Sequence, residues 1–342
     1  MRTRYLIAFL LTTGIGLSQD PIRMTVDQPS SCSGCFSEPQ STLLFRKAYI
    51  EPGRLNDALY LVTPSESFTV PELHDRAAQH ASPIPAISPS GDRVAWSLDF
   101  MLNADIVKCD PSQKEWCDLK PKPIFKSVMG VYSVQDKSWK QYGEFEEVGS
   151  AAFSPDGNKV AFFAQKGCTL RRCDSGVMIL DLETGQMTPV PESNSVIWIA
   201  QLSWSPDGKF LAGTAYGDGH GALRIVSINI ATGEMKTIAE GMDPSWSPKG
   251  DWIAYGLMIV HPDGTGARSV LDERGHKWMS WGVEAPIVWS PDGEKLLLNQ
   301  QKIYRSPTRV IMVDLATGHA VQKSKNGEVV SGWAPNAGKS SN

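Results

Sequence analysis

Six cysteines fall in three close pairs: Cys32 with Cys35, Cys109 with Cys117, and Cys168 with Cys173. Paired thiols can bind zinc, carry electrons or close disulfides. Cys32-Ser-Gly-Cys35 has the spacing of half a zinc site, but no second ligand pair stands at a usual distance from it. A thioredoxin-like redox pair belongs at a helix start behind a strand. This pair lies instead in a Ser/Pro-rich segment. Proximity favours three local disulfides, while the sequence alone leaves their connectivity open. Disulfides belong to an oxidising compartment.

A second set of polar residues could hold a ligand. Asp218 and His220, in Tyr216-Gly-Asp-Gly-His-Gly221, are of types that serve as metal ligands or bases, although Gly-rich polar loops also serve as plain turns. Ser150, Gln201, Asp243, Glu284 and Glu328 are polar members of the segments that lead into the innermost strands of the repeats described below. Carboxylates gathered round one opening could hold a divalent cation such as Ca2+, or a basic peptide. No Gly-x-Ser-x-Gly nucleophile is present, and no complete catalytic set is legible. No cofactor beyond that cation is expected.

The elements that must position these residues are repeats. Ala86-Ile-Ser-Pro-Ser-Gly-Asp-Arg-Val-Ala-Trp96 returns as Ala152-Phe-Ser-Pro-Asp-Gly-Asn-Lys-Val-Ala-Phe162. It returns again at Ser203–Gly213, Ser245–Tyr255 and Val288–Leu298, and a shortened copy, Gly332-Trp-Ala-Pro-Asn336, ends the series. The last three intervals are 42, 43 and 44 residues, the length of one four-stranded propeller blade. Ser, Pro and Gly at the first, second and fourth places of the motif fit a type I turn closing a hairpin. Ile87, Phe153, Trp204, Trp246, Trp289 and Trp333 precede the turns and read as core. The smaller residues before them read as the crowded side near an axis. A second hairpin follows in each repeat, as in Val177-Met-Ile-Leu-Asp-Leu-Glu-Thr-Gly185.

Before the first motif, Leu43–Ala48, Ala58–Thr63 and Phe68–Leu73 supply three strands without an innermost one. The last copy, near Glu328–Trp333, has an innermost strand and nothing after it. The expected fold is all-β: a six-bladed β-propeller closed by joining the N- and C-terminal strands, over residues 42–336. These Ser-Pro-Asp-Gly and Pro-Asp-Gly-Thr-Gly-Ala-Arg signatures resemble the TolB-like propeller family. The resemblance implies a periplasmic propeller. Only a short segment precedes the first strand, so the N-terminal α/β domain of that family has no counterpart and its partner contacts do not carry over.

Arg2 and Arg4 followed by an uncharged apolar stretch, Tyr5–Leu17, have the plan of a secretory signal peptide over residues 1–18. The stretch is shorter than a membrane span requires. Its cleavage would take the formal charge from −4 to −6. Residues 19–41 read as a Cys/Ser/Pro-rich tail and 337–342 as a C-terminal tail. The negative charge and the absence of basic runs argue against nucleic acid.

In a blade, the loop between the second and third strands and the segment leading into the innermost strand leave the same end. The longest repeat intervals, 66 and 51 residues, put the excess of the first and part of that of the second in such loops, and these carry Cys109/Cys117 and Cys168/Cys173. The expected function is a secreted or periplasmic, non-enzymatic, monomeric binding or scaffold protein that engages a protein or peptide on this rim. The alternative is a metal-dependent hydrolase or lyase working at the channel mouth.

Overall fold

A computed structural model describes residues 41–51, 54–62, 67–70, 78–81, 84–101, 125–167, 174–193, 198–216, 222–271, 282–301, 309–324 and 329–335. The proposed signal peptide, both tails but for Ser41, and all six cysteines lie outside them. Among the described residues no helix is long and apolar enough to cross a membrane.

The described residues form six sheets. The first contains β1 (Ser41–Glu51), β2 (Arg54–Val62) and β3 (Ser67–Val70). The second contains β4 (Ala78–Ala81), β5 (Ala86–Ile87), β6 (Arg93–Met101), β7 (Phe125–Ser133) and β8 (Ser138–Phe145). The third contains β9 (Glu147–Val148), β10 (Ala152–Phe153), β11 (Lys159–Lys166), β12 (Asp174–Asp181) and β13 (Met187–Pro189). The fourth runs through β14 (Trp198–Trp204), β15 (Phe210–Tyr216), β16 (Arg224–Asn229) and β17 (Met235–Glu240). The fifth has β18 (Ser245–Trp246), β19 (Ile253–Tyr255), β20 (Met258–Val260) and β21 (Arg268–Ser269). The sixth has β22 (Gly282–Trp289), β23 (Lys295–Gln301), β24 (Arg309–Asp314) and β25 (Ala320–Ser324). The last strand, β26 (Val329–Pro335), joins the first sheet, pairing antiparallel with β1 in the order β26-β1-β2-β3.

The turn motif sets the hairpin between the two inner strands of each sheet. Gly157 N–H donates to Ser154 O at 2.8 Å, and Gly208 N–H to Ser205 O at 2.9 Å. Both glycines lie at positive φ, 72° and 70°, which a side chain would strain. The serine hydroxyl is used inside the turn. Ser205 Oγ donates to Asp207 at 2.6 Å and accepts Phe210 N–H at 2.9 Å. Where the third motif residue is Ser90 or Lys249 instead of Asp, an aspartate two places later takes over: Ser88 Oγ donates to Asp92 and Ser247 Oγ to Asp251, each at 2.8 Å.

Alternation along the strands puts one apolar face on each neighbouring sheet. Met129, Val131 and Tyr142 of the second sheet pack with Phe153, Phe162 and Leu180 of the third. Phe163 and Val177 continue to Leu211 and Val226 of the fourth. Ile225 and Ile238 meet Trp246 and Ile253 of the fifth. Ile259 meets Trp289, Leu298 and Ile311 of the sixth. Leu44 of the first packs with Val94 and Trp96 of the second. Trp246, Trp289 and Trp333 are buried. Two indoles also tie sheets together: Trp204 Nε1 donates to Ala152 O at 3.0 Å and Trp289 Nε1 to Ser245 O at 2.9 Å.

The innermost strands are less regular than the sequence suggests. In the second and third sheets the innermost segment is split, β4 from β5 and β9 from β10. In β14, β22 and β26 a register shift falls at the corresponding point. The chain bends there as it enters the centre of the molecule.

Candidate functional site

The innermost segments of all six sheets line one cavity of about 560 Å³. Its wall includes Pro85 and Ala86, Ala151 and Ala152, Gln201 and Ser203, Asp243 and Ser245, Pro286 and Val288, and Ser331 and Gly332. The wall takes in both the small and the large residue before the motif serine, as with Ala86 and Ile87 or Ser245 and Trp246. At Gly332 a Cβ would come within 2.4 Å of Ile87 Cγ2, so β26 approaches the second sheet more closely than any side chain permits.

Gln201 and Asp243 come together on this wall. Each stands four residues before its motif serine, in adjacent sheets, and each is left-handed, with φ of 54° and 60°. That conformation is uncommon outside glycine and concentrates at functional positions. Asp243 is pinned from the preceding sheet, its N–H donating to Thr214 Oγ1 at 2.8 Å. Ser150, at the matching place in the third sheet, is buried and is not among the residues lining the cavity. Glu284 lies on β22 opposite Asn299, immediately before the register shift. Asp218, His220 and Glu328 lie outside the described residues. Among the described residues no group of three or more His, Cys, Asp or Glu is placed to hold a metal ion.

The structure adds two residues that the sequence did not single out. Tyr216 ends β15, opposite Trp198, at the same end as Gln201. Met242 immediately precedes Asp243. They are 43% and 47% exposed, and Val321, on the outermost strand β25, is the third large apolar residue so exposed among those described. The Asp243–Thr214 bond brings the Met242 segment onto β15 two residues from Tyr216. Their signal in the sequence was position alone: one precedes the Gly-Asp-Gly-His loop, the other the Asp-Pro step.

The opposite end is built differently. Its polar groups are spent on the turns themselves. The Ser154 hydroxyl and then the Asn158 N–H hold the Asp156 carboxyl below its ordinary 3.8. The Ser205 hydroxyl and Lys209 N–H do so for Asp207, and the Thr317 hydroxyl and N–H for Asp314. His261 belongs to this end, stacked on Trp252 at 3.8 Å between ring centroids.

Sheets arranged face to face around a lined centre define a β-propeller. No protein-family model matches the chain, and no curated protein matches it by sequence. Among solved structures it is similar to TolB from Acinetobacter baumannii, with 15% identity and a TM-score of 0.58, over 86% of this chain and 67% of that one. It is similar to a TolB from Agrobacterium tumefaciens, with 16% identity and a TM-score of 0.52, over 84% and 91%. A chain of the nidogen/laminin complex matches at 10% identity with a TM-score of 0.56, over 86% and 97%. Likeness at these identities establishes the fold and leaves function to the site.

Proposed function

We propose that this is a non-enzymatic binding propeller, secreted or periplasmic, that engages a protein or peptide on the rim carrying Tyr216, Met242, Gln201 and Asp243. The observation that carries the reading is the asymmetry of the two ends. One end spends its hydroxyls and carboxylates on uniform turns. The other exposes two large apolar side chains, Tyr216 and Met242, the second next in sequence to the cavity-lining Asp243, and large exposed apolar groups near polar ones suit recognition. β6 and β7 end at this rim at the pair Met101 and Phe125, and β11 and β12 at the pair Lys166 and Asp174.

In this reading the six sheets are six blades, and the β26–β1 pairing closes the ring. Support comes from that pairing, from the packing of β26 against β22 and β5, and from the share every sheet has in the cavity wall. Closure leaves only short edges for unwanted pairing. Similarity to TolB and to a chain of the nidogen/laminin complex is compatible with a binding role. No cofactor is invoked, and nothing in the described residues favours the hydrolase or lyase alternative.

The test is site-specific photocrosslinking in the secreting cell. A p-benzoylphenylalanine placed at Tyr216 or Met242 should yield one discrete crosslinked product. The same group at Glu183 or Ala316, exposed on the turn end, should yield none. Crosslinks from the turn end alone would overturn the assignment.

A further inference from the structure

We propose that Met242 is a modification site through which oxidation controls docking on the rim: hydrogen peroxide converts its thioether to the sulfoxide, and the sulfoxide releases the partner. This rests on the rim reading above and names how binding there is regulated.

Met242 is set apart by its surroundings. It is 47% exposed, whereas Met129 is fully buried. Met178 and Met187 pack against the core between the second and third sheets, and Met235 against that between the third and fourth. The backbone on either side of Met242 is fixed to the fourth sheet. Gly241 N–H donates to Leu223 O at 3.0 Å, and Asp243 N–H donates to Thr214 Oγ1 at 2.8 Å. Gly241, at a φ of 148°, lies so close to Tyr255 that a Cβ there would come within 2.9 Å of its ring. Asp243 follows at a φ of 60° and enters the cavity wall. A backbone held at both neighbours keeps the thioether where solvent reaches it.

The reaction needs only the peroxide. A sulfur lone pair attacks one peroxide oxygen, and the S–O bond forms as the O–O bond breaks. The proton on the transferred oxygen passes to the departing hydroxide to make water. Sulfur is oxidised and the peroxide reduced. The product is polar and chiral where the thioether was apolar and adaptable. A partner that covers Met242 would bury the sulfoxide oxygen in a surface shaped for an apolar group, and an acceptor buried without a donor weakens binding. A secreted or periplasmic protein meets peroxide outside the reducing cytosol.

The test uses the full-length protein with p-benzoylphenylalanine at Tyr216. It is treated with hydrogen peroxide, freed of it by desalting, and irradiated in an extract of the secreting cells, so that the partner never meets the oxidant. Peptide mapping by mass spectrometry should find Met242 oxidised about tenfold faster than Met129. The yield of crosslinked product should fall about fivefold or more, and repair by methionine sulfoxide reductases should restore it. Met242→Leu, compared with its own untreated form, should lose none of its yield on treatment. Oxidation of Met242 no faster than that of Met129, an unchanged yield from protein oxidised at Met242, no recovery on repair, or an equal loss in Met242→Leu would overturn the proposal. The rim reading fails in a different way: untreated protein that gives no product from Tyr216 sinks the rim, and the regulation with it, whatever the mapping finds.

Discussion

Asn299 holds Val330 by both ends of its side-chain amide. Its Nδ2 donates to Val330 O at 2.9 Å and its Oδ1 accepts Val330 N–H at 2.9 Å. The same Nδ2 also reaches Pro286 O at 2.9 Å. Asn299 lies on β23 and is fully buried. One side chain thus fastens the last strand of the chain to the sixth sheet at the point where β22 shifts register.

Replacing Asn299 with Leu should leave an N–H and carbonyls of that junction without partners. The expected loss is about 2–4 kcal/mol, read as a lower urea midpoint. A midpoint equal to the parent's would show that β26 is held by its pairing with β1 alone.

Thr214 does a lighter version of the same work, one hydrogen bond from β15 to Asp243. Thr214→Val should cost about 1 kcal/mol, and Thr214→Ser should restore most of it. If serine fails to restore what valine loses, the threonine acts by its shape and the bond is incidental.

Gly332→Ala should destabilise by about 1–3 kcal/mol, because the new methyl would meet Ile87. Ile87→Ala added to it should relieve the clash, giving a double-mutant cycle with favourable coupling. Additive losses would mean that the two residues do not touch.

These staples explain what the sequence could and could not disclose. The hairpin turns were legible because Ser, Pro and Gly each impose a specific backbone demand there. Strand pairing followed from the alternation around them, and the three orphan strands at the start pointed to a partner near Trp333. The bends in the innermost strands were not legible. Gln201 and Asp243 take the left-handed conformation without glycine, held by neighbours such as Thr214 in another sheet. Asn299, inside Lys295-Leu-Leu-Leu-Asn-Gln-Gln301, reads as the polar end of a strand and acts instead as a buried clamp. The bond from Asp243 N–H to Thr214, which brings the Met242 segment to β15, forms only after the fourth sheet and the segment that follows it are placed side by side.

Acid should weaken the fold through the turn end. The Asp156, Asp207 and Asp314 carboxyls are depressed below 3.8 in the folded protein. Groups of that kind stabilise the fold above their unfolded pKa and lose that contribution as pH falls through the folded one. The urea midpoint should therefore hold from neutrality to about pH 5 and fall below about pH 4. Solvent screening keeps each share small, so Asp156→Asn, Asp207→Asn and Asp314→Asn belong in one variant. Its decline should be shallower than the parent's; an equally steep decline would place the acid-sensitive groups elsewhere.

The most direct measurement of the rim assignment is the affinity of the isolated crosslinked partner for two double variants. Tyr216→Ala with Met242→Ala removes the exposed apolar pair, and Glu183→Ala with Glu234→Ala alters the turn end to a similar extent. The rim pair should weaken binding by about tenfold or more, as loss of central apolar contacts does, while the turn-end pair leaves it unchanged. Loss of binding in the turn-end pair, with the rim pair binding like the parent, would contradict the account.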